Sequence, residues 1–153
     1  MARMEGLPEG EREMLRKIEL PTFETTPFVR GKPLSKRRVA IISTAALQKR
    51  DDRIFDIGEN SYRIIPGDVD PNNVVMSHGS ANFDRTGFQQ DLNICFPLER
   101  LHELAAEGFI GSVADFHYSV SGAVSPQRNE ESVREIARLM KREAVDTVLL
   151  VPI

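Results

Sequence analysis

A helix that runs straight into a strand constrains this chain more than any other feature. Between Asn129 and Ala144 the residues Val133, Ile136, Ala137, Met140 and Ala144 recur on one helical face. Asn129 suits the N-cap, with Glu130 and Glu131 in the first turn and Lys141 and Arg142 near the negative end. Asp146-Thr147-Val148-Leu149-Leu150-Val151 follows at once and reads as a buried strand. Arg38 to Thr44 (RVAIIST) is a second β-branched run, of the kind buried on both faces. Together they predict an α/β fold: an open, mostly parallel sheet with helices packed on it, Rossmann-like.

The 153 residues fit a single domain. Residues 1–35 stand apart as an N-terminal arm, and residues 36–153 form the α/β domain. In the arm, Pro8-Glu9-Gly10-Glu11 starts a short helix with an apolar stripe at Met14, Leu15 and Ile18, which Pro21 ends. The stretch from Pro21 to Arg38 carries three prolines and reads either as an extended arm lying on the domain or a partner, or as an irregular tail. Leu47 to Asn60 is charged and reads as a loop. Tyr62–Ile65 and Asn73–Met76 are short strands, Pro66-Gly67-Asp68 a turn, and Asn93–Phe96 a further strand. Pro97 opens a helix through Leu98, Leu101, Leu104 and Ala105, capped by Gly108. Phe116 to Val124 reads as a loop.

A formal net charge of -3 offers no overall basic field for nucleic acid. No apolar run reaches membrane-span length, and the first residues lack a signal-peptide core. One cysteine excludes an internal disulfide framework, and a cytoplasmic location is expected. The three histidines and one cysteine show no metal-ligand spacing, so no metal is expected.

In an open parallel sheet, ligands bind beyond the carboxyl ends of the strands. Here those ends are Ser43-Thr44, Ser77-His78 and Pro152-Ile153, which converge if the strands are neighbours. His78 follows an apolar strand beside Gly79 and Ser80 and is the leading catalytic candidate, histidine being the usual general acid or base; a hydrogen-bonded loop histidine is the plain alternative. His117, beside Tyr118, is a second candidate proton donor. Arg85 has the forked donors to grip a carboxylate, or it braces the loop with Asp84. Ser77, Thr44, Asp84 and Arg85 are the candidate substrate-binding residues. Asn93 is expected to satisfy backbone groups and His102 to lie on a helix surface. Cys95, between Ile94 and Phe96, reads as a small, inert core thiol.

His78-Gly79-Ser80-Ala81-Asn82-Phe83-Asp84-Arg85, then Asp91-x-Asn93-x-x-Phe96-Pro97-x-x-Arg100-Leu101, continue through Glu107-Gly108-Phe109-Ile110-Gly111-Ser112. With Pro33–Ala45 and Val145–Leu150, this order resembles the selenoprotein B family of glycine, sarcosine, betaine and D-proline reductases from about residue 30 onward. The resemblance implies reductive C–N cleavage of a small carboxylate-bearing amine by a selenol or thiol. It also implies a partner subunit with a pyruvoyl group, a thiol reductant, and a homo- or hetero-oligomer. In this family the selenocysteine or cysteine is expected just after Ile153. Selenocysteine is encoded by UGA, so a chain cut at that codon, C-terminally incomplete and inactive alone, is the expectation. The alternative is a non-catalytic structural or small-molecule-binding subunit of the same fold.

Overall fold

The structure is a computed structural model that describes residues 4–20, 22, 24, 29–79, 84–122 and 124–153. Its centre is β1 (Arg38–Ser43), whose apolar side chains alternate between two layers. Val39 and Ile41 join Phe96, Leu98 and Leu101 of the segment leading into α3 (Leu98–Ala106). Ala40 joins Ile136 and Met140 of α4 (Pro126–Arg142) on the other face. The expected double-sided burial of this run is therefore met.

Along one edge β1 pairs in parallel with β7 (Thr147–Val151). Its other edge is shared by two short parallel partners. Arg38 and Val39 face Ser112 and Val113 of β5 (Ser112–Val113), and Ile42 and Ser43 face Tyr118 and Ser119 of β6 (Phe116–Val120). β6 then pairs antiparallel with β3 (Tyr62–Pro66). β2 (Leu47–Lys49) and β4 (Val74–Met76) form a separate antiparallel ladder. An antiparallel bridge between Ala45 and Ser121 folds this ladder back toward β6.

This corrects the sheet expected from sequence. It is no open, mostly parallel, Rossmann-like sheet but a curled half-barrel, with antiparallel ladders forming its β3, β6, β2 and β4 side. The physical reason is that the polar, aromatic run Phe116–Val120, read as a loop, is a central strand. Its polar side chains find distant partners: Ser119 Oγ accepts from Leu47 N at 2.7 Å and donates to Ser43 O. Conversely, the apolar run Val148–Leu150 is not buried. Among the described residues β7 pairs only with β1, and Leu150 is 67% exposed.

Smaller boundaries also move. Leu47–Lys49 is a strand rather than loop, and Leu92–Ile94 is a 3-10 turn rather than strand. α4 begins three residues before Asn129, with Pro126 in its first turn, where proline's missing N–H costs nothing. Val133 lies outside the buried face, which is Ile136 and Met140. α1 (Glu9–Arg16) ends before Pro21, a residue outside those described, and buries none of its residues. α2 (Thr86–Gln90) is a single short turn of helix. Among the described residues no helix is long and apolar enough to cross a membrane.

Candidate functional site

Four strand ends are tied together at the carboxyl end of β1. Thr44 N donates to Val151 O at 3.1 Å, and Thr44 O accepts from Gly122 N at 3.0 Å. Thr44 Oγ1 accepts from Ile153 N at 2.8 Å and donates to Ile153 O at 3.2 Å. Two residues further, Ala46 N donates to Val120 O and Ala46 O accepts from Ser77 N, at 3.1 and 2.9 Å. Ala46 reaches both partners with φ 51, a left-handed backbone unusual for alanine. Thr44 is thus joined directly to Ile153, and Ser77 is joined to the chain two residues on, at Ala46.

His78 follows Ser77 out of β4 and is half-buried. Its carbonyl accepts a hydrogen bond from the exposed Arg85 guanidinium. Arg85 therefore folds back on the His78 backbone. Asp84 does not pair with Arg85. Its Oδ1 accepts from Thr86 N at 2.9 Å, and the Thr86 hydroxyl and N–H hold its carboxyl below the usual range. Ser80 to Phe83, within the motif, lie outside the described residues.

His117 lies elsewhere, fully buried in β6. Between β5 and β6 the strand breaks, and the imidazole fills the gap: Nδ1 accepts from Ile41 N at 2.9 Å. A backbone N–H can only donate, so Nδ1 carries the lone pair and Nε2 the proton. Burial, reinforced by His102 and Arg38, pushes its pKa down to about 4. Phe96 packs edge-on against the ring at 5.6 Å. Its neighbour Tyr118 is buried on the α4 side, its phenol pushed up to about 12 by burial.

Sequence reasoning missed Gln48. It is 1% exposed, and its Nε2 donates to Ser77 Oγ at 2.8 Å while Oε1 is buried without a partner among the described residues. Nothing in the charged stretch around it signalled a buried amide. It also missed the brace of the loop after β2. Burial alone would raise the Glu59 carboxyl, but Asp56 N, Ser61 and Arg63 hold it at about 2. Arg63 in turn stacks on Phe55 at 4.2 Å.

The signature residues further along serve packing. Asp91 Oδ1 accepts from Asn93 N at 2.9 Å, and Asn93 Nδ2 bridges Asp91 and Glu99. Asn93 therefore joins carboxylates with its side chain, rather than satisfying backbone as expected. His102 is exposed on α3, its Nε2 3.0 Å from Gly67 O. A cleft of about 480 Å³ opens here, lined by Asp68, Asn93, Phe96, Glu99 and His102 among others, and none of the expected site residues reaches it. Cys95 is buried, and burial pushes its thiol up to about 11. Among the described residues no group of three His, Cys, Asp or Glu side chains could hold a metal ion.

The family model for glycine/sarcosine/betaine reductase selenoprotein B matches residues 13–152. A D-proline reductase subunit gamma from Acetoanaerobium sticklandii is 37% identical over 122 residues, covering 78% of this chain and 50% of its own. A glycine reductase complex component B subunit gamma from Symbiobacterium thermophilum is 28% identical, covering 86% of this chain and 32% of its own. For a betaine reductase complex component B subunit beta from Peptoclostridium acidaminophilum the figures are 26%, 97% and 38%. The chain thus spans about half the length, or less, of these relatives. No solved structure matches it. The match across nearly the whole chain carries one conclusion: it belongs to the glycine/sarcosine/betaine reductase selenoprotein B family.

Proposed function

We propose that this chain is the scaffold portion of a subunit of a reductase that cleaves a C–N bond in a small carboxylate-bearing amine. The observation that carries the reading is the end of β1, where Thr44 holds Ile153 and Ala46, two residues on, holds Ser77. A selenocysteine or cysteine following Ile153 would emerge at this junction and supply the redox nucleophile. A pyruvoyl group, expected on a partner subunit, would activate the amine. His78 is the candidate to hold or deliver a proton there, and Arg85 and Asp84 flank it. Thr44 and Ser77 are the further candidate substrate-binding residues. His117 is the weaker catalytic candidate, because its Nδ1 is committed to Ile41. Relatives named for D-proline, glycine and betaine set the substrates to try. A thiol reductant, an oligomeric complex and a cytoplasmic setting complete the proposal.

Cys95 favours a second reading for the chain as it stands. A buried thiol raised to about 11 is inert near neutral pH, so these residues alone suit a non-catalytic structural or small-molecule-binding subunit. The gene beyond codon 153 separates the two. UGA followed by an open frame supports the reductase, and an ordinary stop with no continuing frame overturns it. With such a frame, the full-length protein and its partner subunit would be assayed for thiol-dependent release of the amine product. His78→Ala is expected to lower kcat by about 100-fold or more, the usual scale of a lost general acid.

A further inference from the structure

The hydrogen bonds at Thr44 do something the strand ladder cannot. The β1–β7 ladder closes with Thr44 N donating to Val151 O. By the alternation of a parallel ladder the next bond would run from Ile153 N to Thr44 O, but that carbonyl accepts from Gly122 N at 3.0 Å. The Thr44 hydroxyl takes Ile153 N instead, at 2.8 Å, while lying 3.2 Å from Ile153 O. A β-branched side chain is stiff at χ1, so this oxygen is held in place by its own backbone. Gly122 completes the arrangement. A Cβ there would lie 3.1 Å from Thr44 Cβ and 3.2 Å from Ile153 O, so any larger residue would press on the pair where the exit of β6 closes over it.

We infer that Thr44 is a positioning residue: its hydroxyl stands in for its own carbonyl, which Gly122 occupies, and so fixes Ile153 at the end of β1. Its use to the reaction rests on the reading above, in which the redox residue follows Ile153. On that reading Thr44 acts through the chain that presents the nucleophile, rather than by touching substrate.

Amide hydrogen exchange, followed by NMR on the 153-residue chain, tests the latch by itself. In Thr44→Val the Ile153 amide is expected to exchange roughly tenfold faster, the effect of one lost hydrogen bond, with the β7 amides unchanged. Thr44→Ser keeps the oxygen and is expected to keep the protection. Unchanged Ile153 exchange in Thr44→Val overturns the inference, as does equal acceleration along all of β7, which would make Thr44 an ordinary sheet residue. If Thr44→Val fails to fold, Gly122→Ala decides: it keeps the hydroxyl and crowds the latch, so it is expected to accelerate Ile153 exchange, and no change overturns the inference. A second arm uses the full-length polypeptide with cysteine after Ile153 and follows alkylation against pH. Thr44→Val is expected to move the profile toward a free thiol near pH 8.5, and Thr44→Ser to leave it in place. A latch that holds in a gene without a redox codon would leave the inference standing and remove the reductase reading. A latch that fails beside an active reductase would do the reverse.

Discussion

His117 shows how one side chain can replace a piece of backbone. The break between β5 and β6 leaves Ile41 N without a strand carbonyl, and the imidazole Nδ1 supplies the acceptor. Protonation would destroy that acceptor. Unfolded, the ring titrates at its ordinary 6.5; folded, it resists to about 4. Between those values the unfolded chain binds a proton that the fold refuses. This contribution is fully present above pH 6.5 and is lost as pH falls toward 4, on the order of 3 kcal/mol in all. Urea unfolding across this window should show the loss. His117→Asn, whose carboxamide oxygen can accept from Ile41 without titrating, should be less stable at pH 7 but flatter below it. A wild-type midpoint that does not move from pH 6.5 to 4 would contradict this account. Cys95 gives a second expectation at this scale. In the native chain at pH 8 its alkylation should be at least roughly 100-fold slower than in urea, because so little thiolate forms.

Two helices end in the same motif with different residues at its critical position. After α3, Gly108 N donates to Ala105 O and Phe109 N to Leu104 O; after α4, Ala144 N donates to Lys141 O and Val145 N to Met140 O. Both are Schellman caps, which need a left-handed residue. Gly108 has φ 73 and meets no strain, whereas Ala144 adopts φ 56 with a Cβ. Ala144→Gly should therefore stabilise the protein by about 0.5–1 kcal/mol, and Gly108→Ala should destabilise it by about 1 kcal/mol. A Cβ at Gly108 would meet nothing within 4 Å, so its cost is conformational rather than steric. Thermal melts of the two variants, shifting in opposite directions, check the pair. Gly108 was legible in the sequence because glycine after an amphipathic run is a common stop signal. Ala144 was not, because alanine carries no such signal and was placed on the helical face.

At the scale of the molecule, apolar sequence and burial part company. Ile41 is fully buried on the α3 side of the sheet, and Ile41→Ala should cost about 2–5 kcal/mol. Leu150→Ser, in an equally apolar run, should change stability by no more than about 0.5 kcal/mol, since that side chain already faces solvent. Chemical denaturation of both variants measures the contrast. A large loss from Leu150→Ser would mean that β7 is covered in solution.

The sequence by itself determined the two-sided burial of Arg38–Ser43, the helix that precedes Thr147–Val151, the turn at Gly108 and the family. Those features are local, set by periodicity, β-branching and terminal residues that act within a few positions of each other. Only the tertiary structure decided that Phe116–Val120 is a central strand, that the sheet curls, and that His117 is held in the core. Each depends on a partner far along the chain: Ile41 for His117, Leu47 for Ser119, Ser77 for Gln48. A polar side chain looks like loop until the distant donor or acceptor that lets it be buried is known.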